Sequence, residues 1–201
     1  MRRYLALVVV GLIGCVPYVG GARPVTTGDV TTTFVHAAPT PIVRQHRETD
    51  CGLAALAMVA GAWGQTWSVD ELAARVPPGD KGVRLGALRD LARARGLDAY
   101  AIEGTLDDLV HELAAGRPVV VGLALPFATG KRLGHFEVAI AIEPHDGTLI
   151  TLDPATGRTM RRTRTVLADE WGPSHHATLV VVGRVAPPPL ARPMLTTARG
   201  E

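Results

Sequence analysis

The stretch Gln45-His46-Arg47-Glu48-Thr49-Asp50-Cys51-Gly52-Leu53-Ala54-Ala55-Leu56-Ala57-Met58-Val59 constrains this chain more than any other. From Leu53 to Trp63 nearly every residue is apolar, and many are alanine, the strongest helix former. The pattern predicts a buried helix. Thr49 or Asp50 suits its N-cap, and Gly64 suits the residue just past its end. Cys51 then falls in the first turn. Unpaired N–H groups and the positive end of the helix dipole favour a thiolate there, the form a nucleophilic cysteine needs. Gln45 lies six positions earlier on the preceding loop, where its side-chain amide can act as an oxyanion donor near the sulfur. The plainer alternative is a small cysteine buried in a core helix, and the partners of Cys51 decide between the two.

A cysteine nucleophile requires a base within hydrogen-bond reach and a group that orients the base. Of the seven histidines, His135 is the best placed, at the start of a strand predicted over residues 135–142. Strand alternation puts Phe136, Val138, Ile140 and Ile142 on one face and His135, Glu137, Ala139 and Ala141 on the other. The small side chains of the second face predict a close approach of the alanine-rich helix on the histidine's side. Asp153 closes the next strand of the same hairpin. A turn centred on Asp146-Gly147 sets position 153 beside about 140, so contact with His135 requires a wider loop or a bulge. Glu137 is a rival charge partner, and Asp153 before Pro154 also reads as a turn residue. His175-His176 reads as a surface turn, since no carboxylate or cysteine at ligand spacing joins the pair.

Two sets of residues carry a family resemblance. Gln45 with Asp50-Cys51-Gly52-Leu53-Ala54-Ala55-Leu56-Ala57-Met58-Val59 resembles the first motif of the C39 peptidases, papain-like cysteine peptidases best known for cutting leader peptides after a double glycine. His135-Phe136 with its alternating apolar residues, then Asp153-Pro154 and Gly157, resembles the second and third motifs. The resemblance covers roughly residues 41–186. It implies that Gln45, Cys51, His135 and Asp153 are oxyanion donor, nucleophile, general base and orienting group, with no metal or cofactor, acting on a peptide or protein substrate. The alternatives are an inactive peptide-binding module of the same fold and a thiol acyl or amide transferase. The best-known members are cytosolic domains of peptide exporters. This sequence reads as exported, so the substrate stays open between leader peptides and other exported peptides.

The export reading rests on the N-terminus. Met1-Arg2-Arg3 is a basic start, and residues 4–13 form an apolar run too short to span a bilayer comfortably. The run ends in Leu12-Ile13-Gly14-Cys15, which resembles the bacterial lipobox, with Cys15 as the lipidated residue. Val16 is not the Asp that commonly retains lipoproteins at an inner membrane, so an outer membrane is the expected address where one exists. The expected layout is a signal peptide at 1–14, a flexible Gly-, Pro- and Thr-rich tether at 15–40, the catalytic domain at 41–186 and a disordered tail at 187–201. Without Arg2 and Arg3 the 21 basic side chains come down to the 19 acidic ones. A neutral domain with 4% aromatic residues has no electrostatic footprint for nucleic acid. Helical patterns come first and hairpins later, which predicts an α+β fold with N-terminal helices on a mainly antiparallel sheet. If Cys15 is lipidated, Cys15→Ser moves the protein from the membrane to the soluble fraction. Unchanged fractionation, with no lipid mass on the wild-type N-terminus, would refute the assignment.

Overall fold

Helix α1 (Cys51–Ala62) forms where the alanine-rich run predicts it, and every residue in it except Gly61 is buried. Its C-cap is Trp63, followed by Gly64 at φ +75°, the left-handed conformation that glycine adopts without strain. The computed structural model describes residues 17–183. The expected signal peptide at 1–14, Cys15 and the expected tail at 187–201 therefore lie outside the described residues. Helix α2 (Val69–Arg75) starts in a capping box between Ser68 and Glu71. Helix α3 (Leu85–Ala94) buries Leu88, Leu91 and Ala92 and exposes its opposite face. These three helices cover one face of a sheet.

The sheet contains β1 (Arg23–Pro24), β2 (Val35–His36), β3 (Asp98–Glu103), β4 (Val119–Pro126), β5 (Arg132–Ile142), β6 (Leu149–Asp153), β7 (Arg158–Arg162) and β8 (Ala177–Val182). The strands lie in the order β1-β7-β6-β5-β4-β8-β3, and all pairs are antiparallel. Helices α4 (Leu106–Ala114) and α5 (Arg164–Trp171) cover the second face. Two cores result. Leu53, Leu56, Met58, Leu72 and Leu88 pack with Val120, Val138, Leu152 and Leu179. Leu109, Leu113, Leu167 and Trp171 pack with Val119, Val121, Leu123 and Ile142. The fold is α+β, as expected, with helices on both faces of the sheet.

The hairpin of β5 and β6 fixes the site. Ile142 pairs with Leu149 and Ala141 with Ile150; then the register slips, and Ala139 pairs with Thr151 and Val138 with Leu152. The bulge lies at Ile140. Continued by one residue, this register sets Asp153 opposite Glu137, three places nearer His135 than a tight Asp-Gly turn would allow. The bulge also breaks the alternation expected for β5, so that Ile142 joins Ala139 in the second core. Strand β5 runs on to Arg132 after β6 has stopped at Asp153, leaving that edge of β5 open over residues 132–136.

Two expectations are corrected. Helix α1 packs on the face of Phe136, Val138 and Ile140, not on the face of His135 and the alanines. Close approach comes from Gly52, where an added Cβ would stand 3.0 Å from both Leu88 and Phe136. Residues 17–40 are also not a free tether. Strand β1 pairs with β7, β2 pairs with β5 beyond the end of β4, Tyr18 bridges to Phe127, and Ala37 and Ala38 are buried. A two-residue strand is too short to leave a periodicity, which is why composition alone suggested a linker. We expect Gly52→Val to overpack this contact and to cost about 1–3 kcal/mol, measured by urea denaturation. Unchanged stability would show that the approach of α1 to Phe136 is slack.

Candidate active site

Asp50 is the N-cap of α1, but its side chain does not cap the helix. Its Oδ2 accepts instead from the Arg47 N–H at 3.0 Å, and its main-chain N–H donates to the Arg47 carbonyl at 3.1 Å. The carboxylate thus braces the loop and leaves the first turn of α1 without a side-chain cap. Cys51 is a free, buried cysteine. The His135 ring and the main-chain N–H groups of Phe136 and Gly52 lie close enough to its sulfur to lower the thiol pKa. The Phe136 N–H lies on the open edge of β5. The thiol and the imidazole therefore meet around the edge of the strand, although α1 and His135 belong to opposite faces of the sheet.

His135 is 8% exposed. Its Nε2 stands 2.8 Å from Asp153 Oδ1, which leaves Nδ1 for the sulfur. Asp153 is held by its own turn: Oδ1 accepts from the Ala155 N–H at 2.8 Å, and Oδ2 accepts from the Thr156 hydroxyl at 2.7 Å. It is both the turn residue before Pro154 and the partner of the histidine. Glu137 Oε1, the rival, is 3.9 Å from the same Nε2.

The charges follow from these contacts. Burial pushes the Cys51 thiol pKa up, but the bonds from His135 and the two N–H groups outweigh it and bring it below the ordinary value. Burial pushes His135 down, but Asp153, Cys51 and Glu137 outweigh it and raise the ring to about 10. Burial pushes Asp153 up, but the His135 bond holds it at about 2. The thiolate, the imidazolium and the carboxylate support one another.

The structure thus brings Cys51, His135 and Asp153 together, with His135 and Asp153 hydrogen-bonded. Gln45 joins them through its main chain, with its N–H 3.0 Å from the Pro154 carbonyl. Its side-chain Nε2 donates to the Arg47 carbonyl at 3.0 Å, so the amide is turned along its own loop. That bond uses one of the two amide protons and leaves the other. His175 and His176 form a left-handed turn at φ 56° and 50°, away from these residues. His135, Glu137 and Asp153 would suit a metal by ligand type. However, the Arg162 guanidinium grips both oxygens of Glu137 at 2.7 and 2.8 Å and sets a positive charge against any cation.

Arg162 was not legible as a site neighbour. Residues 158–162 read only as a short strand, yet Arg162 is 1% exposed. The available signal was Glu137 itself, an acid between Phe136 and Val138 in an apolar strand, which requires a buried partner.

The fold has counterparts among known proteins. The family model described as the peptidase C39 family matches residues 39–174. A putative C39-like peptidase from Bacillus anthracis is 18% identical, with a TM-score of 0.61 over 75% of this chain and 98% of its own. The peptidase domain of Streptococcus ComA, a bifunctional ABC transporter of a quorum-sensing pathway, is 23% identical, with a TM-score of 0.58 over 71% of this chain and 97% of its own. A double glycine motif protease from an AMS/PCAT transporter, solved with its leader peptide, is 17% identical, with a TM-score of 0.57 over 74% of this chain and 94% of its own. No curated protein matches the sequence. At such identities the structures speak for the fold, and the family model for descent: the chain belongs to the C39 family of cysteine peptidases.

Proposed function

We propose that the protein hydrolyses peptide bonds by a Cys51–His135–Asp153 triad with Gln45 as oxyanion donor. The observation that carries this reading is the 2.8 Å hydrogen bond between His135 Nε2 and Asp153 Oδ1, on a ring that lowers the pKa of the buried Cys51 thiol beside it. The thiolate attacks the scissile carbonyl and forms a C–S bond. The oxyanion is held by the Cys51 main-chain N–H and by the Gln45 amide proton not used on Arg47. His135 gives its Nδ1 proton to the leaving amine as the C–N bond breaks. Water then attacks the thioester, with His135 taking its proton, and the thiolate is restored. The open edge of β5 suits an extended substrate, which can add to it as a strand beside the thiol. Along this edge Leu133 is 58% exposed, and Gly134 has no atoms within 4 Å of where a Cβ would stand.

The reading includes the substrate class and the location. A structural neighbour is a double glycine motif protease solved with a leader peptide, which supports Gly-Gly peptides as first substrates. The sequence holds one Gly-Gly pair of its own, Gly20-Gly21. We assign the protein to the periplasmic face of a membrane, the outer membrane where one exists, through lipid on Cys15. Among the described residues no helix is long and apolar enough to cross a membrane.

The test is incubation with a peptide library that includes Gly-Gly leaders and the sequence around Gly20-Gly21, read by mass spectrometry. Hydrolysis yields two fragments that together gain one water, and Cys51→Ala abolishes it. Fragments joined to an added amine would mark a transferase, and bound but intact peptides an inactive module. The charge state is tested separately. At pH 6 an ordinary thiol, with a pKa of about 8.5, is almost wholly protonated, whereas Cys51 is expected to react with iodoacetamide there. In His135→Ala the burial term is no longer opposed by the imidazolium, so the alkylation profile moves to higher pH. A single titration near 8.5 in both proteins would leave Cys51 as a buried structural cysteine.

A further inference from the structure

Glu137 is 2% exposed, two residues after His135 on the same strand. It belongs to a cluster that the catalytic line does not use. Arg162 binds both of its oxygens, at 2.7 and 2.8 Å, and also reaches Glu170 Oε2 at 2.7 Å and the Thr151 hydroxyl at 2.9 Å. Thr151 donates to Glu137, and the Tyr18 hydroxyl donates to Glu170. Glu170 is 0% exposed and Arg162 1%. One guanidinium faces two buried carboxylates, so the cluster carries an uncancelled negative charge. Tyr18 stays neutral, because burial and Glu170 both oppose its ionisation. The nearest cation able to balance that charge is the His135 ring, 3.9 Å from Glu137 Oε1.

We propose that Glu137 is a positioning residue of the active site: a second carboxylate, aimed by Arg162, that keeps His135 protonated and so keeps Cys51 charged. Asp153 fixes where the ring points. Glu137 supplies charge without a direct bond, and Arg162, Thr151, Glu170 and Tyr18 hold it at that distance. The groups facing His135 are Cys51 of α1, Asp153 of β6 and Glu137 of β5, with Arg162 of β7 and Glu170 of α5 behind Glu137. An opposite charge at about 4–6 Å favours the charged form of its neighbour. Without Glu137 the imidazolium is less favoured, and the thiolate beside it becomes harder to form. The low-pH limb of thiol reactivity then moves up, and the high-pH limb, set by loss of the His135 proton, moves down.

The inference rests on the thiolate–imidazolium reading above, and the experiment separates the two. Iodoacetamide rates are measured against pH for wild type and Glu137→Gln, with melting temperatures recorded. Glutamine keeps the shape, keeps an oxygen for Arg162, and leaves Arg162 paired with Glu170. The low-pH limb is expected to move up by about one pH unit, which makes alkylation on that limb roughly tenfold slower. A wild-type profile like that of an ordinary thiol overturns the parent reading. A charged thiol in wild type with the same limbs in Glu137→Gln, whatever the change in melting temperature, overturns this inference alone. A second measurement leaves residue 137 untouched. In Asp153→Asn with the thiol blocked as a methyl disulfide, Glu137 is the remaining carboxylate facing the ring. The His135 titration followed by NMR is then expected above the ordinary value of about 6.5. A value below it, as burial alone would give, overturns the proposal even if Glu137→Gln does not fold.

Discussion

The register of the β5–β6 hairpin is the constraint on which the site depends. The bulge at Ile140 and the wide connection between Ile142 and Leu149 carry Asp153 far enough along β5 to reach His135. Strand β6 then stops at Asp153, before Pro154, while β5 runs on to Arg132 with an open edge. An open edge has main-chain N–H groups with no ladder partner, and one of them, on Phe136, helps to lower the Cys51 thiol pKa. One residue less in that hairpin would turn the histidine and its orienter to opposite faces of the sheet.

The charges gathered at this edge are expensive in isolation. A buried carboxylate or guanidinium without partners costs several kcal/mol, and Glu137, Glu170 and Arg162 are all nearly inaccessible. Each is satisfied: Arg162 by Glu137, Thr151 and Glu170, and Glu170 also by Tyr18. Asp153 stays charged because His135, Ala155 and Thr156 donate to it. The free N-terminus of α1 does the same for the thiolate, since Asp50 turns back to Arg47 instead of occupying the first turn. A side-chain cap there would put an anion beside the sulfur. The missing cap and the charged thiol are two sides of one arrangement.

The sequence made the local parts of this site legible. An alanine-rich run after Asp50-Cys51 has one plausible structure, and α1 has it. His135 at the start of an alternating strand, and Asp153 before Pro154, could be located by pattern. What was not legible depended on register. Strict alternation put Ile142 on the face of Phe136, and the bulge moved it to the other core. The same reasoning sent α1 to the alanine face of β5, because small residues suggested close approach. The close approach is instead made by a glycine on the helix itself. Arg162 escaped notice for a related reason: an arginine in a basic strand looks solvated until an acid two strands away is seen to need it.

The N-terminal strap adds a constraint from outside the family domain. The family model begins at residue 39, and the relatives are covered over 94–98% of their own lengths while this chain is covered over 71–75%. Residues 17–38 therefore lie beyond the matched domain, yet they carry β1, β2 and Tyr18, whose hydroxyl donates to the buried Glu170. Losing that donor would leave a buried carboxylate short of a partner, at a cost of about 1–3 kcal/mol. The strap is thus part of the folded unit. With the lipid proposed for Cys15, three peptide links separate the anchor from Tyr18, a reach of about 11 Å at full extension. A domain so short of slack cannot sweep a large volume as one on a flexible tether would. On the proposal of a lipid at Cys15, the cleft is held at the membrane surface and meets peptides that emerge from, or lie on, that same surface.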